Sequence, residues 1–201
     1  MPVNIMREDQ KKVLLQPTPL GDIKKVTQSF QGKTIGERKF RHPNGDEYPY
    51  YFFCGANHWF AMVLPVDTEG NVIVLHQFRH GANQYIYEFP GGNADRPDEK
   101  PEEVASRELE EETGYRAGKI IPLNPSQLLF DAASHISRVY LFAALSCTPT
   151  HKQQLDHIEF IEVVRMSPHE WLSLIDQGKV LDPKTVAMTY FARNYLAAHI
   201  L

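Results

Sequence analysis

The chain has 201 residues, 42% hydrophobic and 23% charged, with a formal net charge of −4. That length fits one domain of ordinary size with a small terminal extension, enough to bury a core without disulfides or a structural metal. Lysines and arginines are scattered rather than gathered on one face, which argues against a nucleic-acid partner.

Met1 to Lys12 mixes charges with scattered apolar residues and lacks the apolar run of a signal peptide. No later segment approaches the roughly 18 apolar residues of a membrane span, so a soluble, cytoplasmic chain is expected with no membrane partner. Cys54 and Cys147 stand in unrelated contexts and read as reduced core thiols; a disulfide between them is the alternative.

From Asp22 to Phe53 the pattern is strand-like, with short alternation at Val26, Gln28 and Phe30. Pro43-Asn44-Gly45-Asp46 is a hairpin signal. Its second arm, Glu47 to Phe53, carries Tyr48, Tyr50, Tyr51, Phe52 and Phe53. Those rings either fill a core or form a surface that meets a second subunit or stacks on a base. Phe60 to Val66 and Val72 to Phe78, joined by Asp67 to Asn71, read as a second hairpin covered on both faces. Tyr85 to Phe89 is a short strand closed by Pro90-Gly91-Gly92.

Pro101 opens a helix that Gly114 should stop. Further strands are expected at Tyr115 to Leu123, Leu128 to Asp131, Val139 to Leu145 and Ile158 to Met166. Ser167, with Glu170 three residues on, has capping-box spacing for a short helix to about Gln177. A last helix should run from near Asp182-Pro183 to about Ala198. The sum is an α+β fold, a mixed sheet with helices packed on it. Residues 1–55 read as an N-terminal antiparallel strand region and 56–201 as the main domain.

The helix after Pro101 carries Glu102, Glu103, Glu108, Glu110, Glu111 and Glu112 against a single Arg107. At about 100° per residue, Glu108, Glu111 and Glu112 fall within roughly one 100° arc. Three converging carboxylates need a counter-charge, and Arg107 alone does not suffice. A hard divalent cation with oxygen ligands does. The competing reading is a solvated acidic helix. Against it stand a thin apolar stripe (Val104, Ala105, Leu109) and the preceding glycine turn, which can bring main-chain oxygen close to a ligand.

Arg107-Glu108-Leu109-Glu110-Glu111-Glu112-Thr113-Gly114-Tyr115 resembles the second half of the Nudix box, REUxEExGU, at every specified position, and Glu99 precedes Arg107 with seven residues between. The box places a glycine where Asn93 stands; Gly92 lies one residue early, as after a single insertion in the Asn93–Asp98 loop. His76 to His80, Glu88 to Gly92, Ile158 to Val164 and Asp182 to Thr185 resemble segments of the ADP-ribose and nucleotide-sugar group of Nudix enzymes.

This resemblance implies a Nudix fold and a hydrolase that splits the diphosphate of ADP-ribose or another nucleoside diphosphate sugar. It implies Mg²⁺ as cofactor, with Mn²⁺ able to substitute. Glu108 and Glu112 would be metal ligands, with Glu111 beside them and a main-chain oxygen of the Gly91-Gly92 turn, taken as that of Gly91. Glu159 would be the base on the attacking water, with Asp156 and Glu162 as alternatives. Arg107 would orient the ligand carboxylates by a bidentate pair with a Glu. Glu99 would be either a metal ligand through water or a partner of Arg107. Arg79 would contact phosphate, with Glu88 beside it at the substrate, or else pair structurally with Glu88. The group also implies a homodimer formed through the N-terminal strands. Phe130 to Ile136 lacks the Pro and Gly that many ADP-ribose enzymes carry there, which leaves GDP- and UDP-sugars open. A Nudix-fold protein that binds a nucleotide for regulation without hydrolysis is the rival reading.

Overall fold

The computed structural model describes residues 16–27, 33–54, 58–123, 127–150 and 153–197. The chain divides into two compact units, Met1–Cys54 and Gly55–Leu201.

The first unit is an antiparallel sheet of β1 (Thr18–Lys25), β2 (Thr34–Arg41) and β3 (Glu47–Cys54), in that order. The hairpin between β2 and β3 turns at Gly45, whose φ of +99° suits a residue without Cβ. Asn44 and Asp46 bond to each other across the turn. Val26 lies just past β1 and is exposed, while Gln28 and Phe30 fall outside the described residues. Phe40 stacks on Tyr48, and Tyr50 packs on Phe52, along one face. The rings do not form a closed core: Tyr50 on that face and Tyr51 and Phe53 on the other are exposed. Cys54 and Cys147 are both free thiols, each buried in its own unit.

The second unit is a mixed sheet between helices. Its first strands are β4 (Trp59–Asp67), β5 (Val72–Arg79), β6 (Gln84–Glu88) and the two-residue β7 (Gly91–Gly92). Helix α1 (Pro101–Thr113) follows, then β8 (Tyr115–Arg116), β9 (Lys119–Pro122), β10 (Leu128–Leu129), β11 (Arg138–Pro149) and β12 (Ile161–Met166). Helices α2 (Pro168–Asp176) and α3 (Pro183–Ala197) close the chain; the position of Ala198, the expected helix end, lies outside the described residues.

β4 and β5 share a turn in which Asp67 Oδ1 accepts the amides of Glu69 and Asn71. The two strands pair only at Val66 and Val72, then part. β4 runs parallel to β11 and antiparallel to β7, while β5 runs antiparallel to β6 and β12. The apolar runs of β4 and β5 are covered on both faces. Met62, Leu64, Val66, Val72 and Val74 face Trp171 of α2 and Met188 of α3, whereas Ala61, Val63 and Ile73 face Val104, Ala105 and Leu109 of α1. Among the described residues no helix is long and apolar enough to cross a membrane.

Several strand bounds differ from expectation for local reasons. The strand expected from Tyr115 to Leu123 breaks into β8 and β9, where Gly118 packs against Ser146. β11 extends to Pro149 because a bulge at Ser146, φ +54°, lets it bend and continue pairing. The Leu128–Asp131 segment keeps only two strand residues, since Asp131 turns the chain by accepting the amide of Ala133. β12 begins at Ile161 and not Ile158, because His157 and Ile158 form a turn. Ser167 caps α2 through the amide and carboxylate of Glu170, and Asp182 caps α3 through Thr185.

Candidate active site

Helix α1 is pinned at both ends. Pro101 opens it, and Gly114 at φ +74° closes it with its amide on the Glu110 carbonyl. Two glutamines far along the chain fasten the last turn: Gln153 donates its side-chain amide to the Glu112 carbonyl, and Gln154 its backbone N–H to that of Glu111. No local sequence signal marks either glutamine, because the contact is made across roughly forty residues of chain.

Arg107 is a hub. Its Nε donates to Glu99 Oε1 (3.0 Å), its Nη1 to Glu108 Oε1 (2.9 Å) and Glu111 Oε2 (3.0 Å), and its Nη2 to the Asn93 carbonyl (2.7 Å). The expected pairing with one Glu is therefore spread over three. Glu99 is buried and also accepts the Asp95 amide, so it ties the loop before the helix to Arg107. Burial alone would raise the Glu99 carboxyl, but Arg107 and the Asp95 amide outweigh it and hold it below its usual range.

Glu112 differs. It is 5% exposed, and its Oε2 accepts the Gly91 amide at 2.9 Å. Burial first, then the Glu108 charge, pushes its carboxyl well above the ordinary carboxylate range; Glu159 adds to the push, and Gly91 and Arg79 oppose it. For Glu108, burial outweighs the Arg107 charge, and the carboxyl is pushed up to about 7. Glu108 also lies directly against Gly92, where a Cβ would overlap its carboxylate. The glycine that lies against Glu108 is thus Gly92, one residue before the position at which the box places its glycine.

Three carboxylates do not converge as the helical arc alone suggested. Glu108 and Glu111 share the Arg107 Nη1 while Glu112 turns to the Gly91 amide, and among the described residues no three acidic, histidine or cysteine side chains close on one point. What the helix does present is two desolvated carboxylates, Glu108 and Glu112, the charge of the first adding to the cost of charging the second, beside the glycine turn.

The remaining candidate residues come from the strands and from the loop before β12. Glu88 is buried and paired with Arg79, whose side chain stays 46% exposed. Arg79 and Glu159 both lie close enough to Glu112 to act on its charge. Glu159 sits in a loop before β12, not in a strand, and its carboxylate accepts the Asp156 amide at 3.0 Å. Glu162 is on the opposite sheet face, 3.6 Å from His76 and mostly exposed. Asp156 is exposed and holds Glu159 through its backbone. A 470 Å³ cavity beside Arg107 is lined by Arg96, Glu99, Glu103 and Gln154 but not by Glu108 or Glu112.

A NUDIX domain family model matches residues 56–188. An ADP-ribose pyrophosphatase of Bacillus subtilis (strain 168) is 38% identical over 134 residues, 67% of this chain and 69% of that protein. An ADP-sugar pyrophosphatase of Mus musculus is 32% identical over 132 residues, 64% of this chain and 60% of the relative. A GDP-mannose pyrophosphatase of Yersinia pestis (strain Pestoides F) is 29% identical over 146 residues, 66% of this chain and 69% of the relative. A solved structure described as an ADP compounds hydrolase is similar with a TM-score of 0.77 at 23% identity, covering 94% of this chain and 98% of that one. At that identity the likeness speaks for the fold. The family match contains the glycine turn, the acidic helix and the strands on which both rest, and this chain accordingly belongs to the Nudix family.

Proposed function

We propose that the protein is a metal-dependent Nudix pyrophosphohydrolase that splits a nucleoside diphosphate sugar between its two phosphates. ADP-ribose is the first substrate to test, with ADP-sugars and GDP-mannose next, in line with the relatives' names. The observation that carries this reading is the Glu108–Glu112 pair, two carboxylates held out of water with Arg107 committed to Glu108 and not to Glu112.

That donor set fits Mg²⁺, which takes one or two carboxylates and leaves its other positions to water and phosphate oxygens. Mn²⁺ accepts the same ligands. Glu108, Glu112 and the Gly91 main-chain oxygen would hold the ion, with Glu111 the further carboxylate. When bound, it would neutralise the diphosphate and make water a better nucleophile. Arg107 orients Glu108 and Glu111. Arg79, aimed from Glu88 and half exposed, grips the diphosphate. Glu159 takes the proton of the attacking water, from a loop that holds its carboxylate near enough to Glu112 to act on its charge.

With Mg²⁺ and ADP-ribose the protein should release AMP and ribose phosphate, and Glu112→Gln should abolish release. Saturable binding without turnover across a panel of nucleotide sugars would support a regulatory nucleotide-binding protein instead. Mg²⁺ should also raise the melting temperature of the wild type but not that of the Glu108→Gln/Glu112→Gln double variant. The N-terminal sheet, with rings exposed on both faces, is read as the element through which two copies pair; sedimentation of the full chain checks it.

A further inference from the structure

The side chain of Gln77 is an anomaly in the second unit. It is 4% exposed, and its Oε1 is buried without a hydrogen-bond partner among the described residues. Native interiors rarely leave such an acceptor unused, because its lost hydration is not replaced.

Its place in the sheet shows what surrounds it. Leu75, Gln77 and Arg79 alternate onto one face of β5, opposite Glu88, Ile86 and Gln84 of β6. The Arg79–Glu88 ion pair therefore runs diagonally over the Gln77–Ile86 step. On the other side Gln77 stands opposite Ile161 of β12, and the Phe78 amide holds the Phe160 carbonyl next to Glu159. Ile73, on the same strand face, packs with α1. Gln77 thus lies beneath the Arg79–Glu88 bridge, on the side of the sheet that carries Glu112.

We infer that Gln77 is a positioning residue for Arg79. In the free protein Arg79 rests on Glu88 through Nε, and the Gln77 oxygen is unused. When the guanidinium turns its outer edge to a diphosphate, an inner N–H comes down on Gln77 Oε1. Glu88 and Gln77 then hold Arg79 from below at two points, and the fork faces the phosphates. Binding the substrate satisfies an acceptor that the free fold leaves bare, so part of the grip on the diphosphate comes from Gln77 without its touching the substrate. This rests on the reading of Arg79 as the diphosphate contact.

Gln77→Leu keeps the volume and removes the acceptor; Gln77→Met is the second choice should Leu not fold. Either variant should raise KM for ADP-ribose, and its Kd by calorimetry, about tenfold, with kcat within about twofold. The melting temperature without substrate should be equal to or above that of the wild type. In an Arg79→Ala background the same substitution should change neither KM nor Kd. A variant that melts lower and loses kcat and affinity together marks Gln77 as merely structural and overturns the inference. So does an unchanged Kd, or a tenfold loss that persists without Arg79. Binding without turnover by the wild type would sink the hydrolase reading alone, since the Kd series still decides for Gln77. No binding of any nucleotide sugar would sink both.

Discussion

On one side of the large sheet, Trp171 is fully buried against Phe89, with its indole N–H donated to Thr189 Oγ1 at 3.0 Å. On the other, Glu112 is nearly as buried, in surroundings that oppose the charge of its carboxylate. The α2–α3 side combines large apolar side chains, among them Leu64, Met188 and Leu196, with polar groups that are paired. The α1 side uses smaller ones, Ala61, Val63, Ala105 and Ala144, which let the acidic helix come close to β4. Stability is concentrated on one side, and on the other the fold holds carboxylates in an environment that disfavours their charge.

Two substitutions test that contrast at its extremes. Glu112→Gln should lower turnover by at least about 10³-fold, as loss of a group that stabilises developing charge does. In metal-free buffer it should leave the melting temperature unchanged or raise it by about 2–4 °C, the shift that ~1 kcal/mol gives a domain of this size. Trp171→Ala should do the reverse, costing about 3–5 kcal/mol in urea unfolding while the surviving folded fraction keeps its kcat. A Glu112→Gln protein that melts lower, or a Trp171→Ala protein of full stability, would erase the distinction between the faces.

Gly92→Ala gives a smaller effect and examines the seam between strand and helix. A methyl there displaces the Glu108 carboxylate, so divalent-ion affinity and kcat/KM should each fall about 10–100-fold, the range seen when a metal ligand's supports are lost. Unfolding free energy should change by less than about 1.5 kcal/mol, as Glu108 swings away on a flexible side chain. Normal activity in this variant would mean that Glu108 does not need its present place.

Much of the fold and of the site is legible in the amino-acid sequence, and the reasons differ by residue. Pro101 and Gly114 punctuate α1 with local backbone chemistry, so its ends can be read directly. The order of Arg107, Glu108, Glu111 and Glu112 carries the candidate site, yet helical angle alone does not show that one Arg107 nitrogen holds Glu108 and Glu111 while Glu112 turns to the Gly91 amide. The one-residue offset of Gly92 is visible; that Gly92 rather than Asn93 meets Glu108 depends on how the 93–98 loop closes onto Glu99. Gln77, Gln153 and Gln154 are silent because their meaning lies in partners far along the chain. The exposure of Tyr51 and Phe53 is likewise open, since an aromatic strand reads alike in a core and on a surface.

The weakest effect is expected where a buried acid belongs to the fold alone. Asp67 joins β4 to β5, accepts the amides of Glu69 and Asn71, and pairs with Arg165 of β12. Burial by itself would raise its carboxyl, but the Arg165 contact and those amides outweigh it and keep it below the ordinary value. A folded pKa below the unfolded one means that the acid contributes stability above its unfolded value of about 4, and loses it as pH falls through the lower folded value. Arg165→Leu should therefore cost little stability at pH 7, because the guanidinium stays 42% exposed and screened by water. The same variant should begin acid unfolding at a higher pH than the wild type. Glu112, with the opposite shift, makes the metal-free fold less stable as pH rises through its folded value. Melting temperatures across pH 3 to 8, with and without Mg²⁺, separate the two acids: Mg²⁺ should flatten the loss at high pH and leave the acid limb set by Asp67 where it was.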